Sequence, residues 1–333
     1  MVTIKNVAKR ANVSIATVSR IINGQAGYTE KTMKRVLKAI EELGYTRNAL
    51  ARGLVSSKSH TIAVLLPSVT SRFASELLGG IEADAQRIGQ SVIICNTDSN
   101  GRRTADYLQM LAEKRVDGII FVSEWLTEEY ERIVERMNVP MVLVATYTST
   151  YPVPYVRIDD EIASHNATEY LLKAGHRSIG MLAGTREDPV AGRPRVEGYK
   201  RALEKYGVEP DDRLVGFGDF HYHSGVKAAE ELLNRAPEIT ALFAASDEMA
   251  LGFLTVAHRR GISVPADISV VGFDDTLDAR MAIPPLTSVK QPLGEMGSTA
   301  VELLFAEKPR SIILPHTIVE RESVRKADGS VVV

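Results

Sequence analysis

From residue 61 onward the chain alternates short β-branched apolar runs with longer amphipathic stretches. This alternation restricts the fold more than anything else in its 333 residues. Runs at 62–67, 92–96, 118–122, 141–145 and 155–158 read as strands, and a second series follows at 179–183, 214–217, 241–244, 269–273 and 287–290. Between them, apolar residues recur at helical spacing near 73–88, 104–114, 128–137, 161–174, 195–206, 224–234, 247–260 and 293–305. Parallel strands need crossover helices, so this order predicts parallel sheets covered on both faces. Two series of strands predict two similar lobes. The chain is expected to pass from the first lobe to the second near Asp160 and to return near Gln291. Late edge strands and a third crossing are expected within 312–320.

Residues 3–44 follow the helical period alone. Thr3 is placed to cap a helix over 4–11, with Val7, Ala8 and Ala11 on its inner stripe. Asn12 tolerates the left-handed conformation of a sharp turn, and Ser14 caps a second helix over 15–23 that Asn23 and Gly24 stop. On that helix Val18, Ile21 and Ile22 share one face, whereas Ala16, Thr17, Arg20 and Asn23 lie toward the other. A third helix opens at Thr29, is expected to bury Met33, Val36, Leu37, Ile40 and Leu43, and ends at Gly44. The pattern is a helix-turn-helix with one face free to read a ligand.

Charge separates the same two regions. Residues 1–60 carry 11 Lys/Arg against 3 Glu, a balance of +8, so the remaining 29 basic and 39 acidic residues leave 61–333 at −10. The net charge of −2 hides this asymmetry, and only the first region can attract a phosphate backbone. The single cysteine, Cys95, lies in an apolar run and is expected in a core strand, with no intrachain disulfide open to it. No secretory leader and no apolar run of membrane-spanning length is evident, so the cytoplasm is the expected compartment.

In open parallel sheets, ligands collect at the carboxyl ends of strands. That rule nominates 68–73, Thr97 and Asp98, 123–125, and Thr146 with Tyr147 in the first series. From the second it takes 184–195, Asp219 with Phe220, Ser246 with Asp247, and Asp274 with Asp275. Carboxylates, one arginine fork and aromatic faces suit a polyhydroxylated molecule. His221 and His223 stand two apart without further residues at ligand spacing, so no metal site is expected. Nucleotide loops and a serine-hydrolase elbow are missing too. Cleft acids could serve an enzyme acting on sugars, but that reading leaves the basic head unused, and neither enzymatic activity nor a cofactor is expected.

The segment TIKNVAKRANVSIATVSRIING resembles the DNA-binding head of the lactose/galactose repressor family of bacterial transcription regulators. The likeness continues through Glu41-Glu42-Leu43-Gly44-Tyr45, Asn48-Ala49-Leu50-Ala51-Arg52-Gly53-Leu54, Lys114-Arg115-Val116-Asp117-Gly118, Gly175-His176-Arg177, Asp247-Glu248-Met249-Ala250 and Leu286-Thr287-Ser288-Val289. Its wording is closest to the catabolite-control and carbohydrate-responsive branches of Gram-positive bacteria.

The resemblance implies an all-α helix-turn-helix head and an α/β core of two lobes, like the type I periplasmic-binding-protein fold with doubly wound parallel sheets. It places the head at 1–46, a hinge helix and linker at 47–60, one lobe at 61–160 with 291–322, and the other at 161–290 with 323–333. A homodimer on a pseudo-palindromic double-stranded operator is implied, acting as a repressor of carbohydrate-utilisation genes, nucleoid-associated and away from membranes. DNA contacts then fall to Thr3, Ser14, Ile15, Ala16, Thr17, Arg20 and Asn23, and in the hinge to Asn48, Ala51 and Leu54. A small carbohydrate-like effector would meet Ser71, Arg72, Phe73, Asp98, Trp125, Tyr147, Arg195, Phe220, Asp247 and Asp274. An alternative within the family is a core that answers to a phosphorylated carrier protein. Two departures stand out: Arg47 occupies a position commonly held by proline, and Ser68-Val69-Thr70-Ser71-Arg72-Phe73 replaces the common Asp-x-x-Asn-Pro-Phe.

Overall fold

Helices α1 (Ile4–Ala11), α2 (Ile15–Ile22) and α3 (Glu30–Leu43) build the first of two units in the computed structural model, which describes residues 2–22, 24–45, 59–98 and 101–325. The Thr3 amide and hydroxyl both donate to Asn6 Oδ1, at 2.9 and 2.6 Å. With the Asn6 backbone amide toward the Thr3 side chain, these bonds close a capping box at the start of α1, so the capping role expected of Thr3 is met with Asn6 as its reciprocal partner. Asn12 ends α1 at φ 50°, Ser14 Oγ accepts from the Thr17 amide at 3.1 Å, and Thr29 Oγ1 accepts from the Thr32 amide at 3.3 Å. Val7, Ala8, Ala11, Val18, Ile21, Val36 and Ala39 fill the small core. Leu37, expected inside, is 51% exposed, because one residue beyond Val36 it is turned about 100° off the stripe that Ala39 completes. Asn23, Asn48, Ala51 and Leu54 lie outside the described residues.

In the second unit, β1 (Thr61–Leu66), β2 (Ser91–Asn96), β3 (Gly118–Val122), β4 (Met141–Val144) and β5 (Tyr155–Arg157) pair in the order β2-β1-β3-β4-β5, all parallel. β6 (Ile179–Ala183), β7 (Val215–Phe217), β8 (Ala241–Ala244), β9 (Ser269–Asp274) and β10 (Thr287–Lys290) repeat the pattern as β7-β6-β8-β9-β10. β1, β3, β4, β6, β8 and β9 are almost wholly buried runs of Val, Ile, Leu, Ala and Phe, as parallel strands covered on both faces must be. Cys95 is buried in β2.

The crossovers set the two lobes side by side. α4 (Arg72–Arg87), α5 (Thr104–Lys114) and α6 (Glu128–Met137) belong to the first sheet. α7 (Asp160–Lys173), which packs on α8 (Gly192–Lys205), begins the second, followed by α9 (Tyr222–Arg235), α10 (Asp247–Arg259) and a short helix α11 (Leu277–Met281) that sequence reading overlooked. After β10 the chain returns to pack α12 (Leu293–Leu304) against α4. β11 (Ile312–Ile313) then extends the first sheet beside β5, and β12 (Thr317–Val319) pairs antiparallel with β10. The third crossing therefore falls between Ile313 and Thr317, and the expected first-lobe span 291–322 is too long at its end. The exposed edge of β10 offers unpaired backbone groups that β12 satisfies, which draws the tail into the second lobe. Among the described residues, no helix is long and apolar enough to cross a membrane.

Candidate functional site

Two surfaces combine exposure with chemistry. On the head, Val18 and Ile21 of α2 face inward, leaving Ile15 44% exposed and Ala16 and Arg20 beside it in solvent. The acids Glu30 and Glu42 sit on α3, where they pair with Lys34, Arg10 and Lys38. Among the described residues, Lys5, Lys9, Arg20, Lys31 and Arg35 make no ion pair, so the surplus positive charge of the head stays available. An exposed helix face with an unpaired arginine and small apolar neighbours has the dimensions and donors to enter a DNA major groove.

In the core, a cavity of about 410 Å³ opens between the lobes at the carboxyl ends of β1, β3, β6, β8 and β9. It is lined by Ser71, Arg72, Phe73, Asp98, Trp125, Arg195, Phe220, Asp247 and Asp274, nine of the ten residues proposed for effector contact. Tyr147 is not in the lining. Its ring packs edge-on against Trp125 at 6.1 Å and carries the Arg157 guanidinium 4.5 Å above it, because the residue leaves β4 toward the neighbouring β5 instead of toward the opposite lobe. Asp98, Ser123, Ala145, Phe220 and Asp274 line the cavity with positive φ, between 50 and 111°. Non-glycine residues held there store local strain, which collects at functional sites.

Arg195 is the centre of the second lobe's wall. Its Nε and Nη2 donate to Asp160 Oδ1 at 2.9 and 2.7 Å, and Nη1 donates to the Ala245 carbonyl at 2.5 Å. Phe273 lies 3.7 Å beneath the guanidinium carbon. Gly198 makes the pair possible: a Cβ there would stand 2.1 Å from the Glu161 carbonyl oxygen, so only glycine lets α8 approach α7 closely enough for Arg195 to meet Asp160. Asp160 was read from the sequence only as a crossover point. Its role as the arginine's partner needed the tertiary fold.

Asp247 does not cap its helix; Ser246 does, accepting from the Met249 amide at 3.1 Å. Asp247 accepts instead from the Ser288 hydroxyl at 2.6 Å and from the Thr276 amide and hydroxyl at 2.8 and 3.0 Å, tying α10 to the end of β9 and to β10. Burial pushes its carboxyl up to about 7 against the pull of those bonds. Burial also raises Asp274, against the attraction of Arg195, and Gln291 donates to it at 2.7 Å. At the far end Glu124, which lay in a nominated loop but was not chosen, accepts from Thr97 and Thr104 at 3.1 and 2.8 Å, and burial raises its carboxyl too.

Arg72 crosses the cleft. Its Nε donates to Asp278 Oδ1 at 3.0 Å, and Glu76 of the same helix accepts from the Leu277 amide at 3.2 Å. His221 bonds Glu248 at 3.2 Å, which raises the imidazole above its ordinary value.

Comparison with known proteins bears on both surfaces. Residues 3–48 match the family model described as bacterial regulatory proteins, lacI family. Residues 59–322 match the one described as periplasmic binding proteins and sugar binding domain of LacI family. The chain is 41% identical over 330 residues to catabolite control protein A of Priestia megaterium, covering 97% of this chain and 99% of that one. It is similar to a lac repressor dimer bound to operator and the anti-inducer ONPF, at TM-score 0.86 and 30% identity over 97% of this chain and 99% of that one. It is similar as well to a transcriptional regulator CelR–cellobiose complex, at TM-score 0.73 and 34% identity over 97% and 100%.

Proposed function

The chain belongs to the lacI family of bacterial regulatory proteins, and from that premise we propose how its two surfaces divide the work of a DNA-binding transcriptional repressor. Face Ile15, Ala16, Thr17 and Arg20 of α2 reads the major groove, with Thr3 and Ser14 toward the phosphates and Arg20 as the fork that takes guanine O6 and N7. The interlobe cavity receives a small carbohydrate-like effector and controls genes of carbohydrate use.

The observation that carries the effector reading is the cavity itself: carboxylates, an oriented arginine and aromatic rings from both lobes converge on one space large enough for a sugar. The contacts of Arg72 and Glu76 with α11 run across its mouth, so an occupant that favours one lobe spacing also favours or opposes them. A ligand changes DNA affinity only through such a difference in affinity between two states.

Leu277, Met281 and Ile283 are 45, 69 and 92% exposed around the end of α11. This apolar stretch fits a second copy of the chain better than an anionic carrier protein, and a twofold dimer matches a palindromic operator.

The test uses an operator selected from random duplexes by the full chain. Arg20→Ala should weaken binding there by about 1–3 kcal/mol and relax the preference at one base pair. Equal weakening on every sequence would make Arg20 a phosphate contact and overturn the assignment.

A further inference from the structure

We propose that the interlobe cavity is built for an uncharged or amine-bearing sugar and turns away effectors carrying phosphate or carboxylate. This rests on the reading of the cavity as the effector site. Nine carboxyl-bearing residues line it against two arginines and one histidine. The cations, besides, each already have a partner. Arg195 is held by Asp160 and the Ala245 carbonyl, Arg72 by Asp278 on the opposite lobe, and His221 by Glu248. Every basic side chain of the lining is thus already paired within the protein. An incoming phosphate would have to compete with one of these carboxylates for its cation while facing the other acids of the lining.

Helix N-termini are the other common anion sites, because their first amides have no partner within the helix. Several helices direct theirs at this cavity, and at each a side-chain oxygen of the chain already accepts from at least one amide. Ser71 accepts from the Ala74 amide at 3.1 Å. The Asp188 carboxylate accepts from the amides of Val190, Ala191 and Gly192 at 2.9, 3.1 and 2.8 Å. Asp219 accepts from the His221 amide at 3.1 Å, and Ser246 from that of Met249 at 3.1 Å. Two of these occupants are themselves carboxylates.

What the lining does offer is ring faces and the spare lone pairs of its carboxylates, each of which can accept more bonds than the chain gives it. Hydroxyl and ammonium groups donate to carboxylates, while Phe73, Trp125 and Phe220 present apolar surface to the C–H face of a sugar ring.

The test is calorimetric titration of the full chain with glucose, ribose, galactose and cellobiose, each beside its available amino and phosphorylated counterparts, such as glucosamine, glucose 6-phosphate and ribose 5-phosphate. The sugar that binds should keep its affinity or gain when it carries an amine, and lose at least about tenfold when it carries a phosphate. The pairing argument is tested separately by Asp278→Asn, which releases Arg72 and should narrow that phosphate penalty by about tenfold. A phosphorylated sugar that binds the unmodified chain as tightly as its neutral parent, in competition with it, overturns the inference and leaves the effector reading standing. If no sugar of any charge binds, the effector reading itself fails and this inference with it.

Discussion

The head and the cleft use charge in opposite ways. Around α2 the head leaves cations exposed and unpaired on a surface supported by a core of small residues such as Ala8, Ala11 and Ala39. In the cleft the cations are tied to carboxylates, and the central pair, Arg195 with Asp160 over Phe273, is buried. A polyanion is captured by surplus charge that water and salt can reach. A small neutral ligand is recognised by a fixed set of hydrogen-bonding groups that their partners in the protein hold in place.

The largest expected effect is that of salt. Between about 50 and 200 mM monovalent salt, operator affinity should fall by roughly a thousandfold or more, as counterion release requires for six or more phosphate contacts. Effector affinity, followed by calorimetry over the same range, should change less than about twofold. Equal sensitivity of the two would dissolve the contrast.

Next in size is the buried pair. Asp160→Ala leaves Arg195 without its counterion inside the second lobe and should cost about 3–5 kcal/mol of stability in chemical unfolding. Arg10→Ala, which removes the exposed partner of Glu42, should change stability by less than about 1 kcal/mol. If the two variants cost the same, the core pair is not the anchored element its geometry indicates.

A further effect, read along the pH axis, concerns Asp247. Its folded carboxyl is raised to about 7 from an ordinary value of 3.8, so the folded chain holds a proton that the unfolded chain has released. Stability contributed by that proton is complete below the unfolded value and is lost as pH rises from about 4 through 7. Melting temperature should therefore decline across this window, and Asp247→Asn, which cannot ionise, should flatten the decline. An unchanged slope in the variant would assign the pH response to other groups.

Much of the head could be read from local rules, because helix period, left-handed turn residues and caps act within a few positions of each other. The error at Leu37 has the same scale: the inner stripe of α3 is narrow, and Val36 and Ala39 already fill it. The alternation of strands and helices in the core was legible, but not where the tail joins, since β12 is only three residues long and its place depends on an edge made far away in sequence. At the cleft, the carboxyl-end rule gathered the right loops yet could not tell which side chain turns inward. Tyr147 follows β4 toward Arg157 instead.

By itself, then, the sequence determined the helices of the head, their exposed basic face and the two alternating series of strands and helices, all of which arise from periodicity and short-range hydrogen bonding. Only the tertiary structure decided that Arg195 belongs to Asp160, Arg72 to Asp278 and Asp247 to Ser288 and Thr276. Those partners stand 35, 206, 41 and 29 residues apart, and a charge that must be buried is settled by what the packed lobes bring within 3 Å of it, which no local pattern records.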